Sequence, residues 1–103
     1  MVLRLTLKKK WFDMISSGEK EEEYREIKPH WISRFNPSGN LLDPCRDYSI
    51  VEFRNGYKTD APTVSFYCRE ITIGEGRVEW GAEQGKEYYI IKLGSKISNT
   101  QNS

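Results

Sequence analysis

The chain opens on a strict alternation. In VLRLTLK, residues 2–8, Leu3, Leu5 and Leu7 alternate with Arg4, Thr6 and Lys8, the period of two that marks a strand with one buried face. From Lys8 to Ser17 the period changes. Trp11, Met14 and Ile15 fall at i, i+3 and i+4 with Phe12 beside them, and Gly18 stands where a left-handed cap would end a short helix. Lys20 to Glu26 suits two states: its three consecutive glutamates favour helix weakly, whereas Tyr24 and the preceding glycine favour strand. Pro29 opens a second helix with Trp31, Ile32 and Phe35 as its apolar face, and NPSGN at 36–40 ends it, leaving 36–48 as loop.

Four further patterns follow. Ile50–Arg54 reads as a strand closed by Asn55-Gly56, the strongest short-range hairpin signal in the chain. PTVSFYCREITI sets Val64, Phe66 and Cys68 against Ser65, Tyr67 and Arg69 until GEG at 74–76 interrupts it, and Trp80-Gly81 suits a barrel corner. EYYIIKLGSKI supplies a last strand. The pattern predicts a small α+β protein: five or so strands on a β-barrel or strongly curved sheet, with two short helices near the N-terminus. One domain spans 1–97, and SNTQNS at 98–103, with nothing to pack, is expected to be a disordered tail.

Composition narrows the picture. At 103 residues there is no length for a second domain. Only 37% of residues are hydrophobic but 13% are aromatic, so a few large side chains carry much of the burial. No apolar run approaches the ~18 residues of a membrane span, and charge within and after the first apolar residues does not fit a leader peptide. Sixteen Lys and Arg stand against fifteen Asp and Glu, which gives bulk charge no role in holding nucleic acid; any anion site is local. Cys45 and Cys68 match no zinc spacing and form no disulfide framework, and His30 is the only histidine. The expectation is a cytoplasmic protein with reduced thiols, no metal and no cofactor.

The candidate chemistry lies in GEKEEEYR, residues 18–25. Its plain reading is a solvated edge whose surface pairs contribute about 0–1 kcal/mol. Set on a strand, Glu21, Glu23 and Arg25 share one face and Glu22, Tyr24 and Glu26 the other. Tyr24 would then pack toward the barrel, leaving Glu23 and Arg25 facing out with Lys20 reaching the same side. On charge alone, Glu23 between two cations is held ionised and Lys20 among glutamates stays protonated. That favours gripping a ligand over acid–base work.

Together with its surroundings, SGEKEEEYREIK resembles the G-x-K-x-x-E-x-R signature of the ASCH domain, a branch of the PUA-like barrel superfamily. Gly18, Lys20, Glu23 and Arg25 fall on its four fixed positions, while FRNGY and EWGAEQGKEYYIIKLG resemble the middle and closing strands. Glu22 departs from it, standing where such sequences often have an apolar residue. The resemblance implies a PUA-like curved barrel of about five or six strands whose motif residues face an RNA, nucleotide or nucleoside. Some small relatives are instead amidohydrolases that deacetylate N4-acetylcytidine. In those the motif Lys pairs with a Thr, the position of Glu23 here, and a later Glu is required, for which Glu79 or Glu83 is available. An enzyme would use Lys20 and Glu23. A binding module would use Lys20, Glu23 and Arg25, with Lys28, Arg54 and Asn55 beside them. A protein-binding cleft is a third reading.

Two nearby features have a plain and a functional reading. Lys8, Lys9 and Lys10 at a helix start are either a solvated basic turn or a phosphate grip. Lys28, His30 and Arg34 interleave with Trp31 and Phe35, as single-strand binders do, although an i, i+4 aromatic pair more often lies in a core.

Overall fold

The computed structural model describes residues 1–99. The chain runs β1 (Val2–Leu7), α1 (Lys9–Ser16), β2 (Glu22–Arg25), α2 (Pro29–Phe35), β3 (Ile50–Asn55), β4 (Thr63–Glu75), a 3-10 turn at Val78–Trp80 and β5 (Glu87–Asn99). The strands form one five-stranded sheet in the order β1-β3-β4-β5-β2, curled into a half-barrel. Only β1 and β3 are parallel; every other neighbouring pair is antiparallel. The expected α+β class with two short N-terminal helices is what the chain adopts.

Inside the curl, Leu3, Leu5 and Leu7 of β1 meet Phe12 and Ile15 of α1, Phe35 of α2, Val51 and Phe53 of β3, and Tyr89, Ile91 and Leu93 of β5. The alternation in β1 is therefore the buried face predicted for it. Gly18 adopts φ +88° and its N–H donates to the Ile15 carbonyl at 3.1 Å, which ends α1 and turns the chain toward β2. In α2, Phe35 is fully buried, while Trp31 and Ile32 are half-buried against the core.

Three local details differ from the sequence pattern. The β3–β4 connection is not a two-residue turn: Asn55 N–H donates to Pro62 C=O and Arg54 pairs with Thr63, so a longer loop intervenes and Gly56 only starts it at φ +88°. In β4 the register against β5 shifts between Ser65 and Glu70. Val64 and Phe66 are buried ahead of the last shift and Ile71 beyond it, because only the shift between Cys68 and Glu70 places the extra residue on β4 and changes which parity faces the core. Lastly, β5 continues through Ser98 and Asn99, paired with Ser65 and Val64, where a tail was expected; the rest of that stretch, 100–103, lies outside the described residues.

A second, smaller cluster covers the outer face of β5. Trp80, Ala82, Tyr88 and Ile90 are buried there, and the Tyr24 and Tyr88 rings lie 5.8 Å apart. The segment after β4 folds over this face because Tyr24 Oη accepts from Arg77 N–H at 2.9 Å and Tyr88 Oη from Glu83 N–H at 3.0 Å. Trp80 and Gly81, expected at a barrel corner, instead end the 3-10 turn of this covering segment, with Gly81 at φ +105° against the Trp11 ring.

Candidate functional site

Because β1 and β2 stand at opposite ends of the strand order, each leaves one edge without a strand partner. Curling brings these two edges toward each other. The Arg25 side chain bridges the seam: its guanidinium donates from Nη2 to the Thr6 carbonyl of β1 at 3.2 Å and to Glu23 Oε2 at 2.8 Å.

Glu23 is the centre of this arrangement. Its other oxygen accepts from Lys20 Nζ at 2.7 Å, so one carboxylate holds two cations. The Lys20 side chain is 2% exposed and that of Glu23 8%, whereas Arg25 at 19% reaches the surface. Lys20 Nζ also lies 5.0 Å from the Trp11 ring centre and 5.2 Å from that of Tyr24. Arg25 lies over Trp31 at 5.1 Å, and its Nε is buried without a hydrogen-bond partner among the described residues.

This overturns the expected facing of β2. Glu23 and Arg25 pair across the ladder with Ile91 and Tyr89, both fully buried, and so point into the barrel. Tyr24 pairs with Ile90 on the outer face, where its hydroxyl donates to Glu22 at 2.7 Å. A charge run normally lies outward; here the carboxylate enters because each oxygen meets a cation, the condition under which a buried charge is tolerated.

The protonation balance at Lys20 also runs against the sequence expectation. Burial lowers its pKa from the ordinary lysine value, and this outweighs the opposing pull of the Glu23 carboxylate and its hydrogen bond. The flanking glutamates contribute less than their number suggests, since Glu22 acts only weakly and Arg25 opposes them. On the outer face, burial drives the Tyr24 hydroxyl well above its usual range.

At the mouth of the seam is a cavity of about 480 Å³. One wall is Thr6, Leu7 and Lys8, the other Glu23 to Glu26, and Trp11 and Trp31 enter from the two helices together with Lys28. Lys28 is largely exposed and sits 3.3 Å from Glu26. Among the predicted site residues, Lys20, Glu23 and Arg25 converge, Lys28 lines the cleft, and Gly18 shapes the approach to β2. Arg54 and Asn55 are not brought there. The Arg54 guanidinium turns to the Lys58 carbonyl of its own hairpin loop, and Asn55 is engaged through its backbone with Pro62. Glu79 and Glu83 are mostly exposed, paired with Arg77 and Lys86, and do not line the cleft.

Pattern reading missed Trp11 and the Thr6 carbonyl. Trp11 belonged to the apolar stripe of α1, and a backbone acceptor carries no sequence signal. A larger cavity of about 650 Å³ lies between the 41–47 loop and the middle of β4, but Asp43, Asp47 and Glu70 make its lining unsuited to an anion. No group of His, Cys, Asp and Glu among the described residues could hold a metal ion, and no helix there is long and apolar enough to cross a membrane.

Compared with known proteins, the sequence matches no family model, and neither a curated protein nor a solved structure matches the chain.

Proposed function

We propose that the chain is an ASCH-type, PUA-like binding domain whose seam cleft takes a base and phosphate of RNA or a nucleotide. The observation that carries this reading is the convergence of Trp11 and Trp31 with Arg25, Lys8 and Lys28 around one cleft between two open strand edges. Flat aromatic and guanidinium surfaces suit a nucleobase, and lysines at the rim suit phosphate. Glu23 acts indirectly. It lines the cleft, but its chief part is to hold Arg25 in place, leaving Arg25 and the strand edges to meet the ligand. Two cations on one carboxylate leave the centre net positive, which favours an anionic ligand over a neutral one.

Fluorescence anisotropy with a short single-stranded RNA at low salt tests the proposal. Binding is expected to weaken about tenfold or more in Trp31→Ala, given about 1–3 kcal/mol per stacked base, and to fall with added salt. Absence of binding, or binding indifferent to Trp31→Ala and Lys28→Ala together, would overturn it.

A second reading, amidohydrolysis of N4-acetylcytidine or a related modified pyrimidine nucleoside, draws on the lowered pKa of Lys20 beside Glu23. An amine pushed toward neutrality is what a catalytic lysine needs. Chromatography after incubation with N4-acetylcytidine decides it: release of cytidine, lost in Lys20→Met, would make the domain an enzyme.

A further inference from the structure

A second cavity opens along the same strand edge. It has a volume of about 340 Å³ and is lined by the first four residues of the chain together with Ser33 and Arg34 of α2, and Arg46 and Tyr48 of the following loop. Three of its lining side chains are arginines, Arg4, Arg34 and Arg46, and none is acidic. Arg4 is 70% exposed and only loosely paired, with Nε 3.5 Å from Glu52 on the neighbouring strand. Neither Arg34 nor Arg46 has an ion pair among the described residues.

The arginines are mounted on fixed backbone. Arg46 N–H donates to the Phe35 carbonyl at 2.8 Å, and Tyr48 Oη donates to the Arg34 carbonyl at 3.0 Å. Both bonds pin the 46–48 loop to the C-terminal turn of α2, whose Phe35 is fully buried. The same helix ties this cavity to the seam cleft: Trp31 lines the cleft, Ser33 and Arg34 line the second cavity, and the Arg34 guanidinium lies 5.9 Å from the Trp31 ring centre. Strand β1 serves both, with Thr6 and Leu7 at the cleft and Val2 and Leu3 at the second cavity. At about 3.3 Å per residue, Leu3 and Leu7 are ~13 Å apart along the strand.

We infer that the arginine-lined cavity is a second anion subsite, which takes a neighbouring phosphodiester of the strand whose base occupies the seam cleft. This rests on the nucleotide reading of the cleft and narrows it: the ligand is an oligonucleotide, not a free nucleoside or mononucleotide. A mononucleotide bound at the cleft can meet Arg34 beside Trp31, but its phosphate stays near its own base and does not extend to Arg4 and Arg46 as well. A chain of phosphates lying along the open edge of β1 reaches both. Unpaired guanidinium groups are what phosphodiester oxygens require, because Arg presents parallel donors and stays charged at any working pH.

Calorimetric titrations of the full chain with uridine monophosphate, a short oligouridylate and inorganic phosphate test the inference, using wild type and the double variant Arg4→Ala plus Arg46→Ala, which leaves Arg34 beside Trp31 untouched. All three arginines are surface residues, and unchanged circular dichroism and melting of the variant establish that it folds. Expected are tighter binding of the oligonucleotide than of the monophosphate and a loss of about tenfold in oligonucleotide affinity in the variant. Monophosphate affinity stays unchanged, and the salt slope falls by about 1.4, some 0.7 for each lost contact on a single strand. Equal affinity for the two nucleotides, or a variant that binds the oligonucleotide as wild type does, overturns the second subsite while leaving the seam cleft standing. Inorganic phosphate that competes with the oligonucleotide at the arginines as strongly as the strand itself binds assigns the cavity to the free ion and overturns the strand. Failure of both nucleotides to bind overturns the subsite and the cleft reading together.

Discussion

Glu23 is buried and holds two cations at once. Its carboxylate neutralises a lysine that is 2% exposed and anchors the arginine that spans the seam. In Glu23→Gln, a neutral amide would face two cations, and its NH₂ group would point at one of them. Breaking a buried pair from one side costs about 3–5 kcal/mol, so a loss of ~3 kcal/mol in urea-induced unfolding is expected. A change under 1 kcal/mol would mean that water already solvates these charges. Lys20 makes a separate, pH-dependent prediction. Its folded pKa lies below its unfolded value of 10.5, so between the two the unfolded chain binds more protons and stability attributable to Lys20 rises with pH. The Tyr24 hydroxyl, pushed upward by burial, acts in the opposite sense at higher pH, where ionisation favours the unfolded chain. The difference between wild type and Lys20→Met isolates the lysine: the wild type should gain relative to the variant as pH climbs toward 10.5. A parallel pair of curves would show that Glu23 fully compensates the burial.

At the scale of elements, the sequence is most legible where one face alone is buried. Leu3, Leu5 and Leu7 announce β1, and Trp11 with Ile15 announces α1, because a period of two or of three to four is the direct imprint of a one-sided core. β2 defeats this reading. Its buried face carries Glu23 and Arg25, so hydrophobicity points to the wrong side, and only pairing with Ile91 and Tyr89 shows which way the strand faces. β4 is legible as a strand but not in its facing, since the register shift between Cys68 and Glu70 breaks the period partway. The candidate site divides in the same way. Lys20, Glu23 and Arg25 were visible as a charged motif, whereas Trp11 and the Thr6 carbonyl depend on the curl that brings β1 beside β2. The outer cluster yields its own prediction. A methyl at Gly76 would stand 2.7 Å from the Tyr24 ring and 2.8 Å from the Ala82 Cβ, closer than real contacts allow. Gly76→Ala must therefore displace either the tyrosine or the covering segment, at the ~1–3 kcal/mol typical of overpacking. Thermal melting should register the loss, and Gly39→Ala serves as a contrast, since nothing lies within 4 Å there and only the positive φ is strained.

For the whole molecule, a curled sheet of five strands does not close by backbone hydrogen bonds, and Arg25 supplies the bridge instead. The consequence is a barrel with one seam that can admit a ligand without breaking any strand ladder. Arg25→Lys tests the bridge while keeping the charge. An ammonium can reach Glu23 or the Thr6 carbonyl, but it lacks the planar fork that holds both. Hydrogen bonds to charged groups contribute about 1.5–3 kcal/mol, so loss of the crossing contact should speed amide exchange in Glu22–Arg25 by roughly tenfold or more. Exchange in the β3–β4 ladder, far from the seam in strand order, should stay as in wild type. If the proposed RNA-binding function holds, affinity for single-stranded RNA should drop in the same variant, because the guanidinium surface beside Trp31 goes with the fork. Uniformly faster exchange across all five strands would instead mean that Arg25 stabilises the fold globally, and unchanged exchange would mean that the two edges hold their positions without it.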